Sequence, residues 1–218
     1  MKGLLIKDCK LMKNNAMFLV IIIIMSIGFA AGMKNAFFAI GYATALISIF
    51  SVNTIAYDEY DNGMPHLFSL PVSRKIYVKE KYVFAILISA VGMTIATIIS
   101  FGVSVFLKEQ YGINEWIAIL SLSMFVTILI QGVVLPVRMK FDSEKHKMAM
   151  IIVFGVMAAI VGIAFGVAET FGIDVDEVFD RLIIARAGIT FVTVLLIGAL
   201  LMFISYKISV KVMEKREF

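Results

Sequence analysis

Apolar and charged positions segregate sharply along this chain. Six stretches contain no Asp, Glu, Lys or Arg: Ala16–Met33, Ala36–Ala56, Val83–Leu107, Trp116–Val137, Met148–Ala168 and Ala187–Tyr206. Each has roughly the 17–25 apolar residues that an α-helix needs to cross about 30 Å of hydrocarbon. The pattern predicts an all-α integral membrane protein with six transmembrane helices, forming one domain over residues 1–218. A transmembrane β-barrel would instead show short segments of alternating hydrophobicity. The first run is longer than a signal-peptide core of about 7–15 residues, and its removal would leave an odd number of spans, so it is expected to be retained.

Composition agrees with this reading. Of the 218 residues, 61% are hydrophobic and 17% charged, against about 25% charged in a soluble domain. The placement of the basic residues then sets an orientation. The N-terminal segment, the loop after span 2, the loop after span 4 and the C-terminal tail hold sixteen of the 20 lysines and arginines. The alternate loops hold only Lys34, Lys108, Arg181 and Arg186. By the positive-inside rule both termini are expected in the cytoplasm. Topology therefore accounts for the net charge of +4, and no nucleic-acid partner is needed to explain it.

Two segments read as interfacial. Lys7, Lys10 and Asn14 share one helical face before span 1, and Leu4, Leu5, Leu11 and Met12 share the other. This predicts an amphipathic elbow helix on the inner leaflet. Asp8 falls within the apolar stripe, where a carboxylate needs water or a partner; Arg74 or Lys75 is the expected partner. On the outer side, Phe171, Val175, Val178, Phe179 and Leu182 alternate helically with Asp174, Glu177, Asp180 and Arg181. They predict a short helix lying between spans 5 and 6, either sealing the bundle or rimming an exit. Small residues at Gly28 and Gly32, at Gly92, Ala96, Ser100 and Ser104, and at Ala158, Gly162 and Gly166 mark faces for close helix packing. Pro136 is expected to bend or end span 4.

Catalytic chemistry is missing from this pattern. The predicted spans contain no ionisable residue, which disfavours proton-coupled carriers and voltage sensors, and Gln131 is their main strongly polar side chain. His66 and His146 fall in loops, Cys9 has no second thiol to pair with, and there is no HExxH, GxSxG or phosphate-loop motif. No metal or cofactor is expected on this chain, and any ATP that drives it would be hydrolysed by another polypeptide. A stand-alone channel or secondary carrier is the competing reading, and a membrane enzyme is disfavoured.

The longest loop on the expected cytoplasmic side reads YDEYDNGMPHLFSLPVSRKIYVKEKY, from Tyr57 to Tyr82. Asp61, Asn62 and Pro65 favour a helix start and Pro71 a stop. Ser73 can cap a second helix that continues into span 3. A short helix carrying Met64, Leu67, Phe68 and Leu70 is thereby held between two turns. Its apolar residues either dock into a groove of a partner or dip into the inner leaflet.

This loop, and the opening MKGLLIKDCKLMKNN with its acidic Asp8, resembles the type-2 permease subunits of bacterial ATP-binding-cassette exporters. The nearest flavour is that of the permeases for phenol-soluble-modulin-like amphipathic peptides. Where members of that family often carry an aromatic residue before the Ser-Leu-Pro, this chain reads Met64-Pro65-His66. The resemblance implies that Met64, Pro65, His66, Leu67, Phe68 and Leu70 touch a nucleotide-binding ATPase subunit. It also implies that Asp58, Glu59, Arg74 and Lys75 orient that helix, and that Arg138, Lys140 and Lys145 form a second contact. ATP and Mg would be held by the partner subunit. Two permease copies, identical or not, would pair in the bacterial cytoplasmic membrane and move an amphipathic peptide outward.

Overall fold

The computed structural model describes residues 1–32, 35–60, 63–109, 111–141, 143–172, 177 and 186–216. Among the described residues there are eight helices and no strand: α1 (Lys2–Asn14), α2 (Ala16–Gly32), α3 (Ala36–Glu59), α4 (Gly63–Ser69), α5 (Arg74–Phe106), α6 (Ile113–Lys140), α7 (Ser143–Thr170) and α8 (Ala187–Lys215). Four of them, α3, α5, α6 and α8, are long and apolar enough to cross a membrane. The pair α1 and α2, bent by 64° at Asn15, makes a fifth if it counts as one span. Nearly all of the outer helix expected between spans 5 and 6 lies outside the described residues.

The helix ends follow local chemistry. Asn35 caps α3, its side-chain oxygen accepting from the Phe37 N–H at 3.0 Å. Ser73 Oγ accepts from the Ile76 N–H at 3.3 Å and starts α5 nine residues before the apolar run begins. At the elbow the Asn15 side-chain amide and the Asn15 backbone N–H both donate to the Leu11 carbonyl, at 2.9 and 3.3 Å. The backbone bond is the ordinary helical one to the residue four back, and the side-chain amide adds a second donor to the same carbonyl.

At the centre lies α3, which packs against α2, α5 and α6, while α6 pairs along its length with α8. A line of hydroxyls runs down its buried side: Thr44, Ser48, Ser51 and Thr54, each donating to a carbonyl three or four residues back. Among the described residues, two glycines mark close approach between long helices. A Cβ on Gly92 would lie 2.8 Å from Ile47 Cδ1, and one on Gly198 would lie 2.5 Å from Ile128 Cδ1. Of the predicted small-residue stripes, the one on α5 is buried throughout. Gly28 and Gly32 on α2, and Gly162 and Gly166 on α7, have nothing within 4 Å of their would-be Cβ. Gly198 belongs to none of the stripes expected from sequence.

Pro136 neither ends nor interrupts α6, contrary to one of the two expected outcomes. A proline cannot donate to the carbonyl four residues back, which here is Gly132. The vacant acceptor is taken by Ser205 of α8, whose Oγ donates to Gly132 O at 2.6 Å. Tyr82 of α5 joins the same group, its hydroxyl 2.6 Å from Ser205 Oγ and 2.8 Å from Ser209 Oγ. A neighbouring helix has thus satisfied the backbone group that the proline released, the arrangement that makes proline tolerable within lipid. Ser205→Ala is therefore expected to destabilise the folded chain by about 1 kcal/mol. Adding Pro136→Ala should recover part of that loss by supplying an N–H to Gly132. Thermal unfolding of the three proteins in detergent checks this, and strictly additive effects would contradict it.

Candidate functional site

The short helix α4 has two different faces. Met64, with Leu67 and Phe68 at i+3 and i+4, turns inward and packs on the main apolar cluster with Val52, Ile55, Tyr77, Met139 and Met213. Phe68 meets the Tyr77 ring edge-on at 5.7 Å, and the Arg74 guanidinium lies 5.9 Å from the Phe68 ring centre. The opposite face, Pro65, His66, Ser69 and Leu70, is exposed, with Leu70 at 51%. Gly63 begins the helix because the chain passes the Asp58 carbonyl there, and a Cβ would sit 2.6 Å from that oxygen.

Directly behind α4 lies a buried ionic cluster joining three helices. Lys81 of α5 is fully buried and places Nζ 2.5 Å from Asp8 Oδ2 of α1, 2.8 Å from Asp58 Oδ2 of α3 and 3.0 Å from Thr54 Oγ1. Lys7 pairs with Asp58 and reaches Asp8 Oδ1 at 3.4 Å. Burial alone would lower the Lys7 ammonium pKa, but the Asp58 and Asp8 carboxylates outweigh it and hold the group above its ordinary value. The Tyr77 hydroxyl donates to Asp58 Oδ2 at 3.1 Å, so the ring that touches Phe68 also touches this cluster.

A second cluster ties the same loop to the ends of α6 and α8. Glu59 accepts from Arg138 at 2.5 Å and from Arg216 at 2.9 Å. Arg216 also donates to the Met139 carbonyl at 3.1 Å. Arg74 donates to the Met213 and Glu214 carbonyls, at 3.2 and 2.7 Å, the end of a helix where a cation is favoured. The outer, exposed tie between Lys75 and Glu214 is 3.4 Å long.

Taken together, α4 rests on the bundle through apolar packing, the Phe68–Tyr77 edge contact and the Arg74 guanidinium, and the ionic clusters beside it join α1, α3, α5, α6 and α8. The sequence profile described as ABC-2 family transporter protein matches residues 3–214. The chain belongs to that family. This ABC-2 permease is accordingly a multi-pass membrane component of a transporter and not itself the catalyst. No curated protein and no solved structure matches it.

Several expected roles within the permease are relocated by the geometry. Asp8 does not pair with Arg74 or Lys75. Those residues lie about two turns further along α5, roughly 10 Å, and are committed to the C-terminal end of α8. Met64, Leu67 and Phe68 pack on the permease's own core, so of the expected docking residues Pro65, His66 and Leu70 are the exposed ones. Asp58 and Glu59 hold the base of the loop by joining α1, α6 and α8, while Arg74 is the one of the four in contact with an α4 side chain. Arg138 is 2% exposed and belongs to the interior cluster rather than to a surface contact; Lys140 and Lys145 are exposed. Thr54, Tyr77, Lys81 and Arg216 were not among the candidates expected from sequence, and Lys7 was expected only on the polar face of α1. For Lys81 a signal exists, since positions 77, 78, 84 and 85 are Tyr, Val, Phe and Ala, placing a lysine on an apolar stripe as unexpectedly as Asp8 on α1.

Lys81→Met would leave Asp8 and Asp58 buried with only Lys7 to balance them. Breaking a buried pair costs about 3–5 kcal/mol, so the variant should lose most of its folded yield. The exposed pair behaves oppositely, and Lys75→Ala should change stability by less than about 1 kcal/mol. Unfolding midpoints in detergent separate the two, and equal effects would refute the assignment.

Proposed function

We propose that this ABC-2 permease is the membrane subunit of an ATP-driven exporter, pushed at the exposed face of α4 by a separate nucleotide-binding subunit. The observation that carries this reading is the two-sided character of α4. Its inner face packs into the bundle, while Pro65, His66 and Leu70 present a small exposed surface to the outside. An element built this way can receive force on one side and deliver it on the other. Lys140 and Lys145 provide a smaller contact on the adjoining loop. The partner would hold ATP and Mg, since no phosphate-binding motif occurs in this sequence.

In this reading the basic loops face the bacterial cytoplasm, the chain crosses the membrane six times, and two permease copies pair with two ATPase subunits. ATP binds more tightly to the closed ATPase pair. That difference in affinity is what shifts the permease between its two populations. The substrate is proposed to be hydrophobic or amphipathic, such as a phenol-soluble-modulin-like peptide. A cavity of about 280 Å³ between α3, α5, α6 and α8 supports this. Met93, Met124, Met202 and Ile128 line it, and Gln131 and Ser89 are its polar wall, joined at 2.6 Å. Methionines adapt to varied apolar shapes, and one amide is enough to orient a polar group.

Leu70→Asp tests the docking surface without touching the core. The ATPase subunit that co-purifies with the wild type should be reduced at least about tenfold, roughly 1.4 kcal/mol of interaction, while folded yield stays the same. Phe68→Asp should instead reduce folded yield itself. Undiminished co-purification with Leu70→Asp, or full transport by the isolated chain in ATP-free liposomes, would refute the proposal.

A further inference from the structure

Glu80 is the one fully buried charged side chain in this region that the coupling geometry does not use. Its side chain is 0% exposed, and neither carboxylate oxygen has a hydrogen-bond partner among the described residues. The nearest cation is Lys81, whose Nζ lies 3.9 Å from Glu80 Oε2. An ammonium has three protons, and Lys81 already has three oxygens within 3.0 Å: Asp8 Oδ2, Asp58 Oδ2 and Thr54 Oγ1. Asp8 Oδ1, in the same cluster, also lacks a hydrogen bond.

The charges around Glu80 do not balance. α1 contributes Lys7 and Asp8, α3 contributes Asp58, and α5 contributes Lys81, Glu80 and the neutral Tyr77 hydroxyl. Three carboxylates against two ammonium groups leave one negative charge, in a place where an unpaired charge is costly. The position precedes the apolar run of α5, which begins at Val83, so exchange with water need not pass through lipid.

We propose that Glu80 is a buried proton-binding site: with α1 seated against α5 the carboxyl is neutral, and release of its proton to water loosens α1. The neutral acid removes the excess charge and adds one O–H donor to a cluster holding orphan acceptors. Once ionised, Glu80 competes with Asp8 for the same ammonium, and Asp8 is the buried carboxylate by which α1 is held. The direction of titration agrees: burial pushes the Glu80 carboxyl up to about 7, with Lys81 opposing the rise and Asp8 adding to it. Nothing in this inference depends on an ATPase partner or on the substrate.

Glu80 ionises near 4.5 in the unfolded chain and near 7 in the folded one. Between those values the folded state holds one more proton. Its contribution to stability is full below pH 4.5, falls by about tenfold in the folded-to-unfolded ratio per pH unit, and levels off above about 7. Unfolding midpoints of the full-length chain in detergent should show wild type and Glu80→Gln alike near pH 5, with the variant more stable at pH 7.5. In parallel, a carboxylic C=O infrared band present in the wild type at pH 6 should be missing in Glu80→Gln. An environment-sensitive dye on Cys9, the exposed lone thiol of α1, should respond to a step from pH 6 to 8 in the wild type and lose that response in the variant. A stability difference that does not depend on pH, or that follows Na⁺ or K⁺ concentration instead, would overturn the proton site. A Cys9 response that persists in Glu80→Gln would overturn the loosening.

Discussion

The Lys81 ammonium is what the basic end of this bundle is arranged around. Placed at full burial on an otherwise apolar stripe, it could not persist there without anions on every side, because removing a single charge from water costs several kcal/mol. Asp8 and Asp58 meet that demand from two other helices, with Thr54 filling the third direction. Each of those partners is then fixed by a further requirement. Asp58 must also receive Lys7 and the Tyr77 hydroxyl, and the Thr54 hydroxyl donates its own hydrogen bond to the Ser51 carbonyl at 2.8 Å. The position of α1, the end of α3 and the start of α5 are consequences of a single buried cation and the geometry of its three donors.

From this node the structure extends in two directions that differ in kind. Toward α4 the link is aromatic: Phe68 against Tyr77, with Tyr77 bonded to Asp58. Toward α6 and α8 the link is ionic, through Glu59, which stands beside Asp58 and binds Arg138 and Arg216. Consecutive residues at the end of one helix therefore face opposite neighbours, about 100° apart on the helix. The carbonyl of Asp58 presses on Gly63, so the backbone of α4 is seated on the same two residues. α4 thus meets α3 and, through Tyr77, α5, and the buried hydroxyl line of α3 runs from that point to the wall of the cavity at Thr44.

Much of this was legible in the sequence, and the part that was not has a physical cause. Charge-free runs mark the apolar lengths of the helices, but helix ends are set by caps, so α5 begins at the Ser73 cap well ahead of its apolar run. Leu70 stands three residues after Leu67, so spacing alone groups it with Met64, Leu67 and Phe68; it is exposed because α4 ends at Ser69, just before Pro71. Asp8 was recognisable as a carboxylate out of place, yet its partner was sought among the loop lysines and arginines. The better candidate was the residue out of place in the opposite sense, Lys81. Ser205 could not be assigned to Gly132 from sequence, because the pairing depends on which face α8 turns to α6. Gly198 was unreadable for the same reason: an isolated glycine in a span announces a close approach only when the opposing Ile128 is known.

Why ions fix the seat of α1 more sharply than the apolar stripe it also carries follows from the solvent. In lipid an apolar helix face gains little by leaving acyl chains for another helix, since both are equally hydrophobic. Leu4 is buried and Met12 packs on the second apolar cluster, but such contacts discriminate poorly between one seat on the bundle and another. Hydrogen-bonded charges can choose, because lipid offers them no alternative partner. A seat in which such pairs take part is specific and is weakened by changing a single charge, whereas a dispersive contact has no comparable control. The same reasoning explains the division of labour in α4. Its inner residues lie in the protein core, where packing is close and apolar side chains do fix position, and its polar ties are therefore free to be few.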